Sequence, residues 1–221
     1  VKLTDRSLHR MRCNKLESLI LKRCVLLEGE FLKARHFGAV KKLDLEDCHR
    51  ISKSNLSRIA AESFPSLLVL NLNNLAAATG QVVHSILKHC PLLQGLALRN
   101  VNLSEKAFRL TKGKGAGVGL ERLCVHTTDF DDEALASVAS FRRLLRLNLK
   151  QCYNLTSQGL LAFARLRPVD CAALTHLDIT DVTEISEDAL NTLLCTIRGA
   201  PMAWRSLKLR GCNLGLPTLQ R

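Results

Sequence analysis

The chain repeats one short apolar phrase eight times, L-x-x-L-x-L-x-x-C or a close variant. The phrases open at Leu16, Val40, Leu67, Leu93, Leu120, Leu144, Leu174 and Trp204. Successive openings lie 24, 27, 26, 27, 24, 30 and 30 residues apart. A regular period of this length indicates stacked repeats, in which each unit buries its apolar residues against its neighbours. Such a chain presents a broad surface to partners more often than it forms a catalytic pocket.

The alternation inside each phrase predicts a short strand, and a second signal between phrases predicts N-capped helices. There an apolar residue and a Ser, Thr or Asp precede a stretch with helical spacing, at Leu3-Thr4, Ile51-Ser52, Leu103-Ser104, Phe130-Asp131, Leu155-Thr156 and Ile185-Ser186. Because helices are wider than strands, the stack should curve. We predict an α/β leucine-rich-repeat solenoid, a horseshoe of about eight repeats. Residues 1–221 would form a single array with a parallel β-sheet on its concave face and helices on its convex face.

Composition agrees with this prediction. Hydrophobic residues make up 47% of the chain and aromatic residues only 4%, which suits a core of aliphatic ladders. No stretch approaches the ~20 apolar residues that a membrane span needs.

The nine cysteines follow the repeat. Cys24, Cys48, Cys152 and Cys212 share the ninth position of the phrase, and Cys13, Cys90 and Cys171 share a second equivalent position. Residues at equivalent positions stack in rows, so we interpret these thiols as small buried apolar groups. Their odd number and the missing signal-peptide pattern favour an intracellular reducing compartment, either cytoplasm or mitochondrion. No Cys or His pair has zinc-site spacing, so we expect no metal.

Three segments of the sequence contain residue types that are typical of chemical sites. The Gly/Lys-rich loop 111–119 reads TKGKGAGVG and lacks the Lys-Ser/Thr ending of a P-loop, which indicates a basic surface loop. The acidic run between Asp129 and Glu133 fits a helix N-terminus better than a cation site. Cys124 and His126 have no third orienting group for nucleophilic catalysis. We therefore expect no catalytic, cofactor or metal site and no enzymatic activity.

The net charge of +12, from 32 Lys and Arg against 20 Asp and Glu, favours an acidic partner. The third, fifth and seventh positions of each phrase should point away from the core on the concave face. These positions hold eight basic and three acidic residues. The predicted partner-binding residues are Lys22, Lys42, Asn71, Asn73, Arg99, Arg122, His126, Arg146, Asn148, Lys150, Lys208 and Arg210. We place the centre of this anion-complementary surface at Arg99, Arg122, Arg146 and Lys150. RNA is possible, although no aromatic side chain on these positions offers a stacking platform.

The full phrase resembles the cysteine-containing class of leucine-rich repeats, over essentially the whole chain. Cys90-Pro91 with Leu93 shows the front half of that pattern, and Cys152 with Leu155-Thr156 and Gly159-Leu160 shows the back half. The class is best known from F-box/leucine-rich-repeat proteins, the substrate receptors of cullin-based ubiquitin ligases. Similar arrays occur in mitotic-exit-network antagonists and in mitochondrial proteins that resemble ATP synthase factor s. No F-box is found in this chain.

Solenoids need capping at both ends. This array opens on a helix start and closes soon after the eighth strand, so we expect further residues or neighbouring subunits to cover its end repeats. Three functions follow from the residues and the resemblance. The first is a structural or assembly subunit of a large intracellular complex, acting as a protein-interaction scaffold. The second is the substrate-recognition region of an F-box-type ubiquitin ligase. The third is an RNA-backbone-contacting subunit of a ribonucleoprotein.

Overall fold

Eight three-residue strands form one open parallel sheet in chain order. The computed structural model describes residues 3–11, 13–60, 63–103, 107–108, 119–126, 129–167, 174–196 and 204–214. The strands are β1 Ser18–Ile20, β2 Lys42–Asp44, β3 Val69–Asn71, β4 Gly95–Ala97, β5 Arg122–Cys124, β6 Arg146–Asn148, β7 His176–Asp178 and β8 Ser206–Lys208. They pair in strict register, so that Leu19 lies beside Leu43 and Leu43 beside Leu70. The fold is the predicted α/β leucine-rich-repeat solenoid.

The apolar positions of the phrase build the core. From β1 to β7 the fourth and sixth positions are at most 6% exposed, and Leu43 and Leu45 are fully buried. Each such side chain contributes roughly 1.5–3 kcal/mol through burial. The eighth strand is the exception, because Leu207 and Leu209 are only partly buried.

A left-handed residue follows the strands at the eighth position of the phrase. Its φ lies between 53° and 62° in six non-glycine residues, and Gly211 takes the same position with φ 73°. The six are Arg23, Asp47, Asn74, Asn100, Gln151 and Asp181. Their backbone N–H groups donate to the next repeat, for example Asp47 to the carbonyl of Asn73 at 3.2 Å. Asn and Asp tolerate this conformation best, which explains their frequency here.

The helices are short and lie between the strands. They are α1 Asp5–Arg10, α2 Lys53–Leu56, α3 Gly80–His89, α4 Asp132–Val138, α5 Ser157–Leu166 and α6 Glu187–Thr196. The last three pack against one another in sequence. The connection from β1 to β2 contains only the 3₁₀ turns Glu30–Lys33 and Arg35–Phe37, and it thus differs from the N-capped helices predicted elsewhere between the phrases. None of the described helices is long and apolar enough to cross a membrane.

Four of the predicted N-caps are confirmed. Side-chain oxygens of Ser52, Asp131, Thr156 and Ser186 accept hydrogen bonds from backbone N–H groups in the first turn that follows. Thr4 also occupies the N-cap position of α1, but its hydroxyl faces the Ser7 hydroxyl at 3.3 Å and accepts no backbone N–H, so only the predicted side-chain bond is missing there. Ser104 and most of the 111–119 loop lie outside the described residues.

The acidic run at the start of α4 bonds to protein groups. Asp131 caps the helix, and a carboxylate oxygen of Asp129 accepts the N–H of Leu103 at 2.7 Å. Asp132 reaches the next repeat and accepts both the N–H of Thr156 at 2.8 Å and its hydroxyl at 2.6 Å. The interpretation as a helix N-terminus is confirmed.

Thiols at the ninth position join adjacent repeats. The Sγ of Cys48 donates to the carbonyl of Leu21 at 2.9 Å, and that of Cys152 donates to the carbonyl of Val125 at 3.0 Å. Burial raises the pKa of both Cys48 and Cys90 to about 11. The described cysteines form no disulfide with one another, and Cys171 is outside the described residues.

Gly159 in α5 should not tolerate a methyl group. A Cβ there would overlap the Asp132 carboxylate that binds Thr156. Gly→Ala inside a helix normally stabilises by about 0.5–1 kcal/mol. Here we expect Gly159→Ala to lower the free energy of unfolding by about 1–3 kcal/mol, the usual cost of overpacking. Urea unfolding measures the difference. In an Asp132→Gly background the Cβ and the carboxylate that the added methyl would overlap are both absent, so the loss should disappear; equal losses in both backgrounds would contradict the assignment.

Thiol reactivity should follow burial. At pH 8 and in the folded protein we expect iodoacetamide to modify the exposed Cys195 readily and Cys48 and Cys90 slowly, because only the thiolate reacts and a pKa near 11 leaves little of it. Peptide mapping by mass spectrometry identifies the modified sites. Guanidinium chloride should make all three reactive; rapid modification of Cys48 in the native protein would show that it is not buried.

Candidate partner-binding groove

The third and fifth positions of the strands line a groove of ≈ 470 Å³ that runs from β2 to β8. Six of the twelve predicted binding residues line this groove: Lys42, Asn71, Arg122, Arg146, Asn148 and Lys208. The other six occupy the seventh position, two residues beyond the strand, and form what we call the carboxyl rim: Lys22, Asn73, Arg99, His126, Lys150 and Arg210. The predicted surface therefore separates into a floor and a rim.

Small residues at the middle of the groove leave room for an arginine. Gly95 and Ala97 of β4 and Cys124 of β5 line this part of the surface. A Cβ built on Gly95 would lie only 3.4 Å from a terminal nitrogen of Arg122 and 3.5 Å from its Nε. The guanidinium of Arg122 thus lies over the β4 backbone, in space that a larger residue at position 95 would fill.

A basic row crosses three adjacent strands. Arg122 pairs in register with Arg146, and Arg146 pairs with His176. Neighbouring strands lie about 4.8 Å apart, so the two arginines stand side by side. Within the described part of the chain, neither arginine has a carboxylate at ion-pair distance. Desolvation, with the charges of Arg146 and Arg205, lowers the pKa of His176. This shift favours the neutral imidazole.

At the N-terminal end of the groove, Glu46 compensates the positive charge of neighbouring side chains. Its carboxylate accepts from Lys22 Nζ at 2.8 Å, from Arg99 at 2.9 Å and from Asn71 Nδ2 at 3.2 Å. Asp44 adds a second contact to Lys22 at 3.4 Å. The hydrogen bond from Lys22 is the main reason that the pKa of Glu46 falls below its usual value. Lys22 and Arg99 are paired in this way, whereas the adjacent Arg122 and Arg146 have no carboxylate at ion-pair distance among the described residues.

Polar residues at the fifth position terminate the strands. Asn71 and Asn148 accept the N–H groups of Asn73 and Lys150 through their side-chain oxygens, both at 3.0 Å. Asp178 does the same for Thr180 at 3.1 Å and also faces Lys208 at 3.5 Å. The two asparagines therefore hold the turn geometry, and each presents only the rest of its amide to a ligand.

Cys124 and His126 are not arranged as a nucleophile pair. Burial raises the pKa of the Cys124 thiol, the reverse of what an attacking thiolate needs. His126 Nε2 instead contacts Gln151 Oε1 at 3.0 Å. Among the described residues, no three His, Cys, Asp or Glu side chains are grouped as metal ligands.

Sequence reasoning left three residues out of the candidate site. His176 completes the basic row, Gly95 makes space for Arg122, and Glu46, together with Asp44, pairs with two of the eight cations. The repeat register carries the signal for His176, because it occupies the same third position as Arg122 and Arg146.

The scan against models of known protein families finds no match. Among solved structures, the chain is similar to the crystal structure of the Rad7 and Elc1 complex from yeast, with a TM-score of 0.55 and 18% sequence identity. The match covers 95% of this chain and 60% of that chain, so this chain spans well under two thirds of its length. A likeness at this identity shows the fold.

Glu46→Gln should destabilise the protein in a pH-dependent way. At pH 7 we expect a loss of about 1–3 kcal/mol, because the charged bonds to Lys22 and Arg99 weaken. The pKa of Glu46 is lower in the folded protein than its ordinary value of 4.5, so its ionised carboxylate stabilises the fold above pH 4.5. This stabilisation is lost as the pH falls through the pKa of the folded state. Urea unfolding of both proteins should therefore give a difference that narrows below pH 4.5.

The matched control is Glu17→Gln, which removes a carboxylate that is 64% exposed and paired with Lys41 at 2.6 Å. An exposed pair contributes little to stability. A difference between wild type and Glu46→Gln that does not change with pH would contradict the role of the Glu46 charge.

Proposed function

We propose that this protein is a non-enzymatic protein-interaction scaffold that binds an acidic partner through the groove and the carboxyl rim. The observation that carries the proposal is the row of Arg122 and Arg146, two adjacent cations without a described carboxylate partner. Two like charges side by side repel each other, and a partner's anionic groups relieve that repulsion. Guanidinium groups also match carboxylates and phosphates in bidentate geometry.

Within this proposal the protein is a structural or assembly subunit of a large intracellular complex. The stacked repeats support a binding role, because the register holds the side chains of eight strands on one rigid face. An interface built on such a face loses little conformational entropy on binding.

A second candidate is the substrate-recognition region of an F-box-type ubiquitin ligase. The cysteine-containing phrase supports it, and so does the similarity to a structure in which Rad7 is solved together with Elc1. In that case the groove would hold the substrate.

Affinity capture from cell extract with quantitative mass spectrometry separates the candidates. Recovery of a cullin adaptor supports the ligase candidate, and recovery of ribosomal or respiratory subunits supports the assembly subunit. Capture repeated after nuclease treatment tests the RNA alternative, since an RNA-mediated association is then lost.

The double variant Arg122→Glu/Arg146→Glu should lose the captured partner while keeping its fold. Both side chains are exposed, so we expect the free energy of unfolding to change by less than about 1 kcal/mol. Capture yield and circular dichroism melting measure the two effects. The control Lys88→Glu/Arg165→Glu makes the same charge change at exposed positions of α3 and α5. Equal capture by both double variants would contradict binding through the groove.

A further inference from the structure

We propose that the groove recognises a phosphorylated side chain on an extended segment of its protein partner, with the phosphate held between Arg122 and Arg146. This inference rests on the proposed function and specifies the chemistry of the partner.

The number of donors in the basic row fits a phosphate better than a carboxylate. One arginine satisfies both oxygens of a carboxylate through a bidentate pair. A phosphoserine carries a charge near −1.5 to −2 at pH 7 and three strong acceptor oxygens. Arg122 and Arg146 lie on neighbouring strands in the same register, and both can donate to one phosphate group. His176 continues the row. Because the Thr175 hydroxyl donates to the carbonyl of Leu145 at 3.0 Å, it accepts from His176 Nδ1 at 2.8 Å. The Nε2 atom then donates a third contact only when the imidazole is protonated, which a bound phosphate favours.

The extent of the positive region selects a single anion over a polyanion. Asp44 on β2 and Asp178 on β7 both line the groove, and Glu46 lies just above Asp44. A chain of phosphates running along the groove would meet these carboxylates at both ends. An isolated phosphate between Arg122 and Arg146 lies beside the two arginines and His176 and is one strand away from Asp178. A phosphorylated peptide therefore fits this charge distribution, whereas a nucleic-acid backbone does not.

The shape of the groove supports the same position. Gly95 allows the Arg122 guanidinium to lie over β4, next to Ala97 and Cys124. Both neighbours are small, so the centre of the groove is open above the guanidinium. The peptide residues on either side of the phosphorylated one would cross this floor, one toward Val69 and the other toward Asn148.

The test uses fluorescein-labelled peptide pools with random flanks and a fixed central phosphoserine, glutamate or serine, together with an oligouridine. Fluorescence anisotropy at one fixed salt concentration gives the affinities. We expect the phosphoserine pool to bind at least about tenfold tighter than either other pool, and Arg122→Gln or Arg146→Gln to remove about tenfold each.

The control Lys88→Gln removes one cation from an exposed position of α3, outside the residues that line the groove. We expect the affinity of this variant for the phosphoserine pool to change less than about twofold, because salt screens an exposed charge that lies away from the site. Gly95→Val keeps every charge but fills the space under Arg122, and it should weaken phosphoserine binding as the arginine variants do.

Titration with inorganic phosphate locates the site independently of any peptide. We expect the side-chain Nε–H signals of Arg122 and Arg146 and the ring signals of His176 to shift in the ¹⁵N spectrum of the labelled protein. Shifts confined to other basic residues overturn the proposal.

The remaining outcomes distinguish this inference from the proposed function. If the phosphoserine and glutamate pools bind equally well, and Arg122→Gln weakens both, phosphate recognition is overturned. The proposal that the groove binds an acidic partner is then still supported. Tighter binding of oligouridine than of any peptide overturns both. If neither Arg122→Gln nor Arg146→Gln weakens binding of the phosphoserine pool, the proposed phosphate site is wrong. Whether the partner binds in the groove at all is tested separately, by the capture experiment with Arg122→Glu/Arg146→Glu.

Discussion

The left-handed residue three positions beyond the strand is the constraint on which the array depends. It turns the chain out of the sheet at the same phrase position in the seven repeats in which this residue is described, and in six of them its N–H bonds to the next repeat. Side chains at this position also join repeats, as in the 2.8 Å bond from Asn74 Nδ2 to Asp47 Oδ1. Because every repeat leaves the sheet at one point, neighbouring strands cannot slip. A slip by one residue would expose every core leucine.

Because the strands pair in strict register, residues at equivalent positions of the repeats form rows of like side chains. Some of these rows stabilise the fold and others destabilise it. A row of leucines or thiols is favourable, since each member packs on the last or donates to its carbonyl, as Cys48 does to Leu21. A row of arginines is unfavourable in isolation. At the N-terminal end Glu46 offsets the cations around it. At Arg122 and Arg146 no described residue does so, and this difference is the physical basis for placing the binding site there.

The strands, the buried leucines, most helix caps and the buried thiols of Cys48, Cys90 and Cys152 could be predicted because each follows from a local pattern. Cys13, Cys24 and Cys212 were expected to be buried as well and are only partly buried. Alternation specifies which side chains enter the core, and a hydroxyl or carboxylate before a helix finds its N–H group within a few residues. The first connection could not be predicted. There the Asp5 carboxylate accepts the N–H groups of Glu28, Gly29 and Phe31 from the next repeat. That contact bridges more than twenty residues and leaves no local signature.

The amino-acid sequence was enough to establish the repeat, the parallel sheet and the set of side chains that face away from the core, because these depend on periodicity alone. Which of those side chains remain available for a partner depended on the folded chain. Arg99 and Glu46 are 53 residues apart in sequence, yet their side chains meet at 2.9 Å, while Arg122 lies over Gly95 and meets no described acid. The physical reason is the length of these side chains. Long charged side chains contact partners across several repeats, and no short-range sequence pattern predicts which pairs come within contact distance.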